Sequence, residues 1–319
     1  MADVYCVGEA LIDFVSKEAG KSLSETKVFE KHVGGAPLNV AVGVSRLGVD
    51  TGFVGRVGND PFGKNIIEFL RSHGVNVEFV VLDKRRKTRL AFIYLSEAGE
   101  RDFEFWERNP ADANFRKEEI PIERLAQARL VHFGSLSLID RKSREVVFWL
   151  KKRLISSGPI LTFDVNYRNK LWKNKEMAYA TLKDFAMHMD VVKLSEEELL
   201  LFCRRGGLID CIREVQRELD VKILAVTMGE NGSIISTNDN IFEIEAFKEK
   251  VVDTTGCGDA YMAAVIYYIL QKGMPNGFQD GVKMGIFANA AGALCLRKYG
   301  ATEGLPELDE LLEYSKVEL

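Results

Sequence analysis

The chain is poor in the residues that build metal and disulfide scaffolds. Its five cysteines (Cys6, Cys203, Cys211, Cys257, Cys295) form no CxxC pair, and its four histidines (His32, His73, His132, His188) are dispersed. Such spacing predicts neither a structural zinc site nor a disulfide framework. No run approaches the roughly 20 apolar residues that a membrane span needs. The opening MADVYCVGEALIDF lacks a basic segment followed by a long apolar one. A soluble protein of a reducing cytosol is expected. An excess of positive charge is also missing, since 43 Lys+Arg stand against 47 Asp+Glu, a formal charge of −4. Broad attraction to nucleic acid or an acidic membrane is thereby excluded, and any phosphate must be bound locally. No repeat, low-complexity linker or break in composition divides residues 1–319, so a single domain is expected. Its 46% hydrophobic content supplies a sizeable core.

What is present is an alternation of strand-like and helix-like runs. VYCVG (4–8) reads as a buried strand, and Glu9 and Asp13 interrupt the apolar run after it. Residues 16–31 are polar and irregular, a surface excursion. Between Val77 and Trp106 the runs VEFVVL, TRLAFIYL and RDFEFW are β-prone, with a turn at Glu97 to Glu100. This meander reads as a flap over a site. The basic run Lys84 to Arg89 reads as a solvated turn. From Arg129 onward RLVHFGS, ILTFDVNYR, DVVKLSEEE and KILAVTMG alternate with helical patterns, which means parallel βαβ units covered on both faces. Asp164, Asn166, Arg168, Ser195, Glu198, Thr227 and Gly229 fall at predicted strand C-termini, the edge where open α/β sheets bind ligands. Each taken alone also reads as a cap or turn former, and their shared edge of one sheet argues against that reading. His132 and His188 read as structural, and Met284 to Ala301 as a helix of small residues.

The most informative stretch is VVDTTGCGDAYMAAV (251–265), in which a strand end runs through Gly256 and Gly258 to Asp259 and into an apolar helix. Free N–H groups at a helix start, with the dipole behind them, make an anion site suited to phosphate. Asp259 is there either a helix cap or a general base for a hydroxyl attacking phosphorus. Upstream, HVGGAPLNVAVGVSRLG (32–48) places Gly34 and Gly35 before Pro37 at a helix start, with Asn39 in the first turn. GNDPFGKN (58–65) approaches the nucleotide P-loop pattern but has Asn65 where a hydroxyl is required. Pro61 would remove a donor and Asp60 would repel phosphate. Asp60 as N-cap and Pro61 at N1 of an ordinary helix explain the same letters. A dehydrogenase is excluded because no GxGxxG follows any predicted strand.

Together, GGAPLNVA and DTTGCGDAYMAAV resemble the two signatures of the phosphofructokinase-B (ribokinase-like) sugar kinase family, in order and more than 200 residues apart. The resemblance covers essentially the whole chain. It implies a three-layer α/β/α sandwich with a mainly parallel central sheet and a small β-sheet lid formed by insertions at about 15–33 and 85–108. It assigns Asp259 as base and the Gly256, Cys257 and Gly258 turn as anion hole, with Cys257 departing from the usual Ala, Ser or Gly. Asp13, Gly34, Gly35 and Asn39 would hold the sugar. Lys193, Ser195, Thr227, Gly229, Gly232 and Asn289 would serve ATP. Glu198 would meet Mg²⁺ through water or phosphate, with Ser195 replacing the family's usual Asn. Asp253 and Thr255 would lie by a monovalent cation such as K⁺. ERNPADANF and DVNYR resemble fructokinases and bring Arg108 and Arg168 to the sugar or its phosphate, so the expected reaction gives fructose 6-phosphate. The alternatives are a 2-keto-3-deoxygluconate kinase and a non-catalytic sugar- or nucleotide-binding regulator. Related lids pair between subunits, and Phe92, Tyr94 and Phe103 would serve a homodimer here.

Overall fold

A computed structural model describes residues 2–18, 20–95, 101–106, 108–203 and 206–319. Its strands are β1 (Val4–Val7), β2 (Leu11–Ser16), β3 (Phe29–Gly34), β4 (Thr51–Gly58), β5 (Asn76–Asp83), β6 (Arg89–Leu95), β7 (Arg101–Phe105), β8 (Leu130–Phe133), β9 (Ile160–Asp164), β10 (Val191–Ser195), β11 (Ile223–Thr227), β12 (Ser233–Thr237) and β13 (Ile241–Ile244). The helices are α1 (Ala36–Arg46), α2 (Pro61–Ser72), α3 (Ile122–Ala126), α4 (Arg141–Leu154), α5 (Lys175–Ala186), α6 (Glu196–Phe202), α7 (Leu208–Leu219), α8 (Cys257–Lys272), α9 (Phe278–Cys295) and α10 (Leu308–Ser315).

Nine strands form one sheet in the order β13-β12-β11-β10-β9-β8-β1-β4-β5, parallel except for β12 and β13. Their side chains point alternately to two cores. Val4 and Cys6 of β1 join the core under α1, α8 and α9, whereas Tyr5 and Val7 join the core under α4, α5 and α7. A strand buried on both faces must be apolar throughout, as VYCV is. Helix α8 is buried continuously from Asp259 to Leu270. It is therefore apolar on all sides and lies between α1 and α9 rather than at the surface. Gly43 makes this approach feasible, because a Cβ there would lie 2.8 Å from that of Ala263.

The second sheet, ordered β3-β2-β6-β7, is small and contains most of the segments expected to form a lid. It corrects several expectations. The lid begins at Leu11, and VEFVVL belongs to β5, a parallel edge strand of the large sheet beside β4. Asn76 and Glu78 leave β5 half polar at that edge, so its letters alone resemble those of a flap strand. The turn expected at Glu97 to Glu100 lies outside the described residues. The basic run before β6 is not wholly solvated, because Arg89 is buried and paired with Asp112 at 2.8 Å. The small-residue helix runs over 278–295 rather than 284–301.

Asp60 caps α2, accepting from Gly63 N at 2.9 Å, and Pro61 occupies the first turn as the capping argument requires. The cysteines correct the sequence reading. Cys203 at the end of α6 and Cys211 in the first turn of α7 have Cα atoms 5.4 Å apart and form a disulfide. The end of α6 and the start of α7 lie side by side there, and residue spacing does not reveal it. Cys6, Cys257 and Cys295 are free thiols.

Candidate active site

The C-terminal ends of β1, β9 and β10 and the N-termini of α1 and α8 surround a cavity of about 300 Å³, roofed by Ala91, Ile93, Phe103 and Phe105 of the small sheet. Cross-strand register pairs Ile93 with Phe103 and Ala91 with Phe105, which puts all four on one face. Phe103 therefore faces the cavity rather than grouping with Phe92 and Tyr94, as the sequence suggested.

At the floor, Gly256 takes a left-handed backbone (φ 81°) immediately before α8. A Cβ there would lie 2.7 Å from the Ala301 carbonyl, so no larger residue fits. A Cβ at Gly258 would stand 3.0 Å from Lys193 Nζ, which places the ammonium over the helix start. Gly256 and Gly258 line the cavity and Cys257 does not. The turn thus gathers an uncapped helix start, its dipole and a lysine in one place, an arrangement suited to a phosphoryl group.

Asp259, in the first turn of α8, lines the same cavity and is 8% exposed. Its Oδ2 accepts from Asn39 Nδ2 at 2.7 Å, joining the two expected motifs in one hydrogen bond. Burial, with Asp164 adding repulsion, pushes Asp259 up to about 7 despite the opposing Asn39 bond, Lys193 and Arg168. A carboxylate tuned to neutral pH is suited to take a proton from a hydroxyl. No side chain caps α8, so the cap reading of Asp259 does not hold.

Asp13 also lines the cavity, pushed up to about 7 chiefly by burial, with His32 and Arg168 opposing. A Cβ at Gly34 would collide with Asp13 Oδ2, so that glycine makes room for the carboxyl. Gly35 is in the wall. Arg168 reaches the cavity with its guanidinium 5.2 Å from the Phe103 ring centre, whereas Arg108 is exposed and outside the lining. Lys193 is buried and donates to both Asp164 oxygens at 3.0 and 2.8 Å. Burial opposes its charge, but the carboxylates of Asp164 and Glu198 prevail and its pKa is raised.

Of the remaining expected nucleotide and metal residues, Thr255 lines the cavity and the others lie outside its lining. Ser195 and Glu198 form a capping box on α6, with Ser195 Oγ accepting from Glu198 N at 3.1 Å and Glu198 Oε2 from Ser195 N at 2.8 Å. Glu198 Oε1 also accepts from Tyr167 N. Thr227 ends β11, and its hydroxyl donates to the Leu194 carbonyl at 3.4 Å. Gly229 and Gly232 form the tight turn into β12 with φ of 56° and 89°. Asn289 on α9 donates to the Ile244 and Glu245 carbonyls at 3.1 and 3.0 Å. Asp253 Oδ1 accepts from Thr255 N and Oγ1 at 2.8 and 2.7 Å, and its Oδ2 from Gly300 N at 3.0 Å. No cluster of three or more His, Cys, Asp or Glu suited to a metal occurs among the described residues. No helix among them is long and apolar enough to cross a membrane. His132 is structural as expected, buried with Nδ1 2.9 Å from Thr162 Oγ1.

Glu9, Leu11 and Thr254 also line the cavity. No motif marks Glu9 or Leu11, whereas Thr254 sits inside the DTTGCGDAYMAAV signature. Glu9 was visible only as a charge in an apolar run, and the lid's inner face is set by nonlocal strand register.

Comparison with known proteins agrees with this geometry. The pattern of the pfkB family carbohydrate kinases matches residues 1–308. The chain is 37% identical to maize (Zea mays) fructokinase-1 over 313 residues, covering 97% of this chain and 96% of that one. Among solved structures, Xylella fastidiosa fructokinase with bound ATP superposes with a TM-score of 0.87 at 32% identity, covering 99% of each chain. Vibrio cholerae fructokinase in its fructose, ADP and calcium ion bound form gives a TM-score of 0.87 at 28% identity, covering 100% of this chain and 99% of that one. The chain belongs to the pfkB family of carbohydrate kinases and is a phosphotransferase acting on a sugar hydroxyl.

Proposed function

We propose that the protein transfers the γ-phosphoryl group of ATP to the primary hydroxyl of fructose, giving fructose 6-phosphate and ADP. The observation that carries the choice of sugar is the number of carboxyl groups in the cavity wall. Glu9, Asp13 and Asp259 line it, Asp164 neutralises Lys193 there, and Arg168 is the remaining cation of the lining. A wall so rich in carboxyl groups suits a neutral ketose better than a sugar acid. Fructokinases among the relatives support the same choice.

In this reading Asp13 and Asn39 hold sugar hydroxyls, and Arg168 meets the sugar near its incoming phosphate. Asp259 takes the proton of the primary hydroxyl as its oxygen attacks the γ-phosphorus, and the bond to the ADP oxygen breaks. The Gly256 and Gly258 amides and the Lys193 ammonium stabilise charge on the transferring group. The apolar roof excludes water that would otherwise take the phosphoryl group. ATP fits the glycine cradle, where a Cβ at Gly258 would stand beside Lys193 Nζ in the space a phosphate needs, and one at Gly256 would collide with Ala301.

Mg²⁺ arriving with the nucleotide would neutralise phosphate charge. Both Glu198 oxygens already accept backbone N–H bonds, so Glu198 suits contact through water rather than direct ligation. The Asp253–Thr255 turn offers carboxylate, hydroxyl and carbonyl oxygens, a donor set suited to K⁺. The reading also includes a homodimer through the lids. On the outer lid face Phe92 packs with Phe14, Phe29 and Trp106, and Trp106 is 69% exposed. Sedimentation of Phe92→Asp against wild type tests that part.

A coupled ADP-release assay against fructose, 2-keto-3-deoxygluconate, ribose and adenosine tests the reaction. Fructose should give the highest kcat/KM. A higher value for the keto-acid would overturn the choice of sugar while leaving the kinase chemistry intact.

A further inference from the structure

One buried acid in the cavity wall has no part in the steps above. Glu9 lies just past β1, is 2% exposed and lines the cavity. Its Oε1 accepts from the N–H of Ala36, the first residue of α1, at 3.2 Å. Its Oε2 is buried and has no hydrogen-bond partner. Native proteins leave few buried carboxyl oxygens unpaired, and those they keep call for a ligand or a function.

The surroundings restrict what that partner can be. Asp112 from the turn after the lid, Arg89 from β6 and Asp259 from α8 face Glu9. Arg89 is already committed to Asp112 at 2.8 Å. Burial, with Asp112 and Asp259 adding to it, pushes Glu9 up to about 8 against the pull of Arg89. Near pH 7 the group is a neutral acid, able to donate as well as accept. Asn39, whose Nδ2 holds Asp259, lies in the same first turn of α1 whose opening N–H Glu9 fixes.

We propose that Glu9 is a substrate-binding residue that helps decide which sugar is accepted, with Oε1 fixing the start of α1 and Oε2 hydrogen-bonding one hydroxyl of the sugar. The partner is a neutral polyol hydroxyl other than the one phosphorylated. The proposal rests on membership of a sugar kinase family and not on fructose in particular. A buried acid of this kind discriminates strongly, because a sugar lacking that hydroxyl leaves Oε2 unpaired again.

The test begins with whichever sugar the wild type turns over with the highest kcat/KM, which settles the choice of substrate separately. Analogues lacking one hydroxyl each are then assayed with the wild type, Glu9→Gln, Glu9→Ala and Glu9→Met. Methionine keeps the side-chain length without the polar head and serves if the alanine variant does not fold. Glu9→Ala or Glu9→Met should lose roughly tenfold to a hundredfold in kcat/KM on the parent sugar, mostly in KM, and Glu9→Gln distinctly less. On one deoxy analogue alone the wild type and the apolar variants should react alike, because the shared hydrogen bond is already gone. Losses that multiply independently on every analogue, or an equal loss in Glu9→Gln and Glu9→Met, would overturn the proposal and leave the kinase assignment standing.

Discussion

Asp259→Asn removes the charge of one carboxyl while keeping its outline and an oxygen able to accept from Asn39. In the wild type the folded chain holds this group near 7 against an ordinary value of 3.8, a difference of about 3 units. At 1.36 kcal/mol per unit that corresponds to up to about 4 kcal/mol. Because the folded value is raised, the favourable contribution of protonation is fully present below pH 3.8 and is lost as pH rises through about 7. The neutral asparagine escapes this loss. The variant should therefore match the wild type in urea denaturation near pH 4 and exceed it by up to about 4 kcal/mol at pH 8. Activity should move the other way. Loss of the base should lower kcat by about 10²- to 10⁴-fold, while ATP affinity measured by calorimetry stays within about threefold, since the phosphate cradle is backbone. The wild-type rate should also fall as pH drops below about 7, and the variant's residual rate should lack that limb. A variant retaining kcat within tenfold would refute the base, and one no more stable than wild type at pH 8 would refute the cost assigned to the buried charge.

Gly258→Ala brings a Cβ to 3.0 Å from Lys193 Nζ and into the cradle. Steady-state kinetics should show a loss of roughly 10²-fold or more in kcat/KM, and thermal melting no loss of stability, since alanine favours a helix. Lys64→Ala should leave the KM for ATP within about twofold, because exposed Lys64 belongs to the helix capped by Asp60 and to no P-loop. Asp60→Ala removes acceptors from Gly63 N, Thr88 N and Thr88 Oγ1, each at 2.9 Å, and should destabilise the fold by about 2–4 kcal/mol in urea titration. Reducing the Cys203–Cys211 bridge, which spans a sequence separation of 8, should lower stability by about 2.5 kcal/mol, read as a fall in melting temperature with added phosphine.

The parts of this molecule that could be read in advance are those written in local spacing. Asp60 and Pro61 announce a capped helix because the cap and its N–H partner are three residues apart. The turn at Gly256 and Gly258 announces an uncapped helix start because the glycines and the first helical residues share five letters. The parallel order of the large sheet follows from apolar strands alternating with amphipathic helices. What stayed hidden depends on contacts between distant residues. The inward face of β7 is decided by its register on β6, so Phe103 could not be placed from its own strand. Strand β5 reads like its lid neighbours because an edge strand and a flap strand share the same half-polar alternation. Ser195 and Glu198 carry the Ser-x-x-Glu spacing of a capping box, and that local meaning is the one the structure expresses.

The small sheet is attached to the body at the places where the cavity is made. Strand β2 follows β1 after three residues, Gly8 to Ala10, and β3 enters α1 through Gly35 alone. Asp13 lies on β2, and Gly34 ends β3. Any tilt of the roof therefore shifts the groups meant to grip the substrate by a comparable amount, and a substrate gripped there steadies the roof in return. On the function proposed above, gripping the acceptor and covering the chamber are one mechanical event, and idle hydrolysis of the nucleotide is checked by the way the chain is threaded.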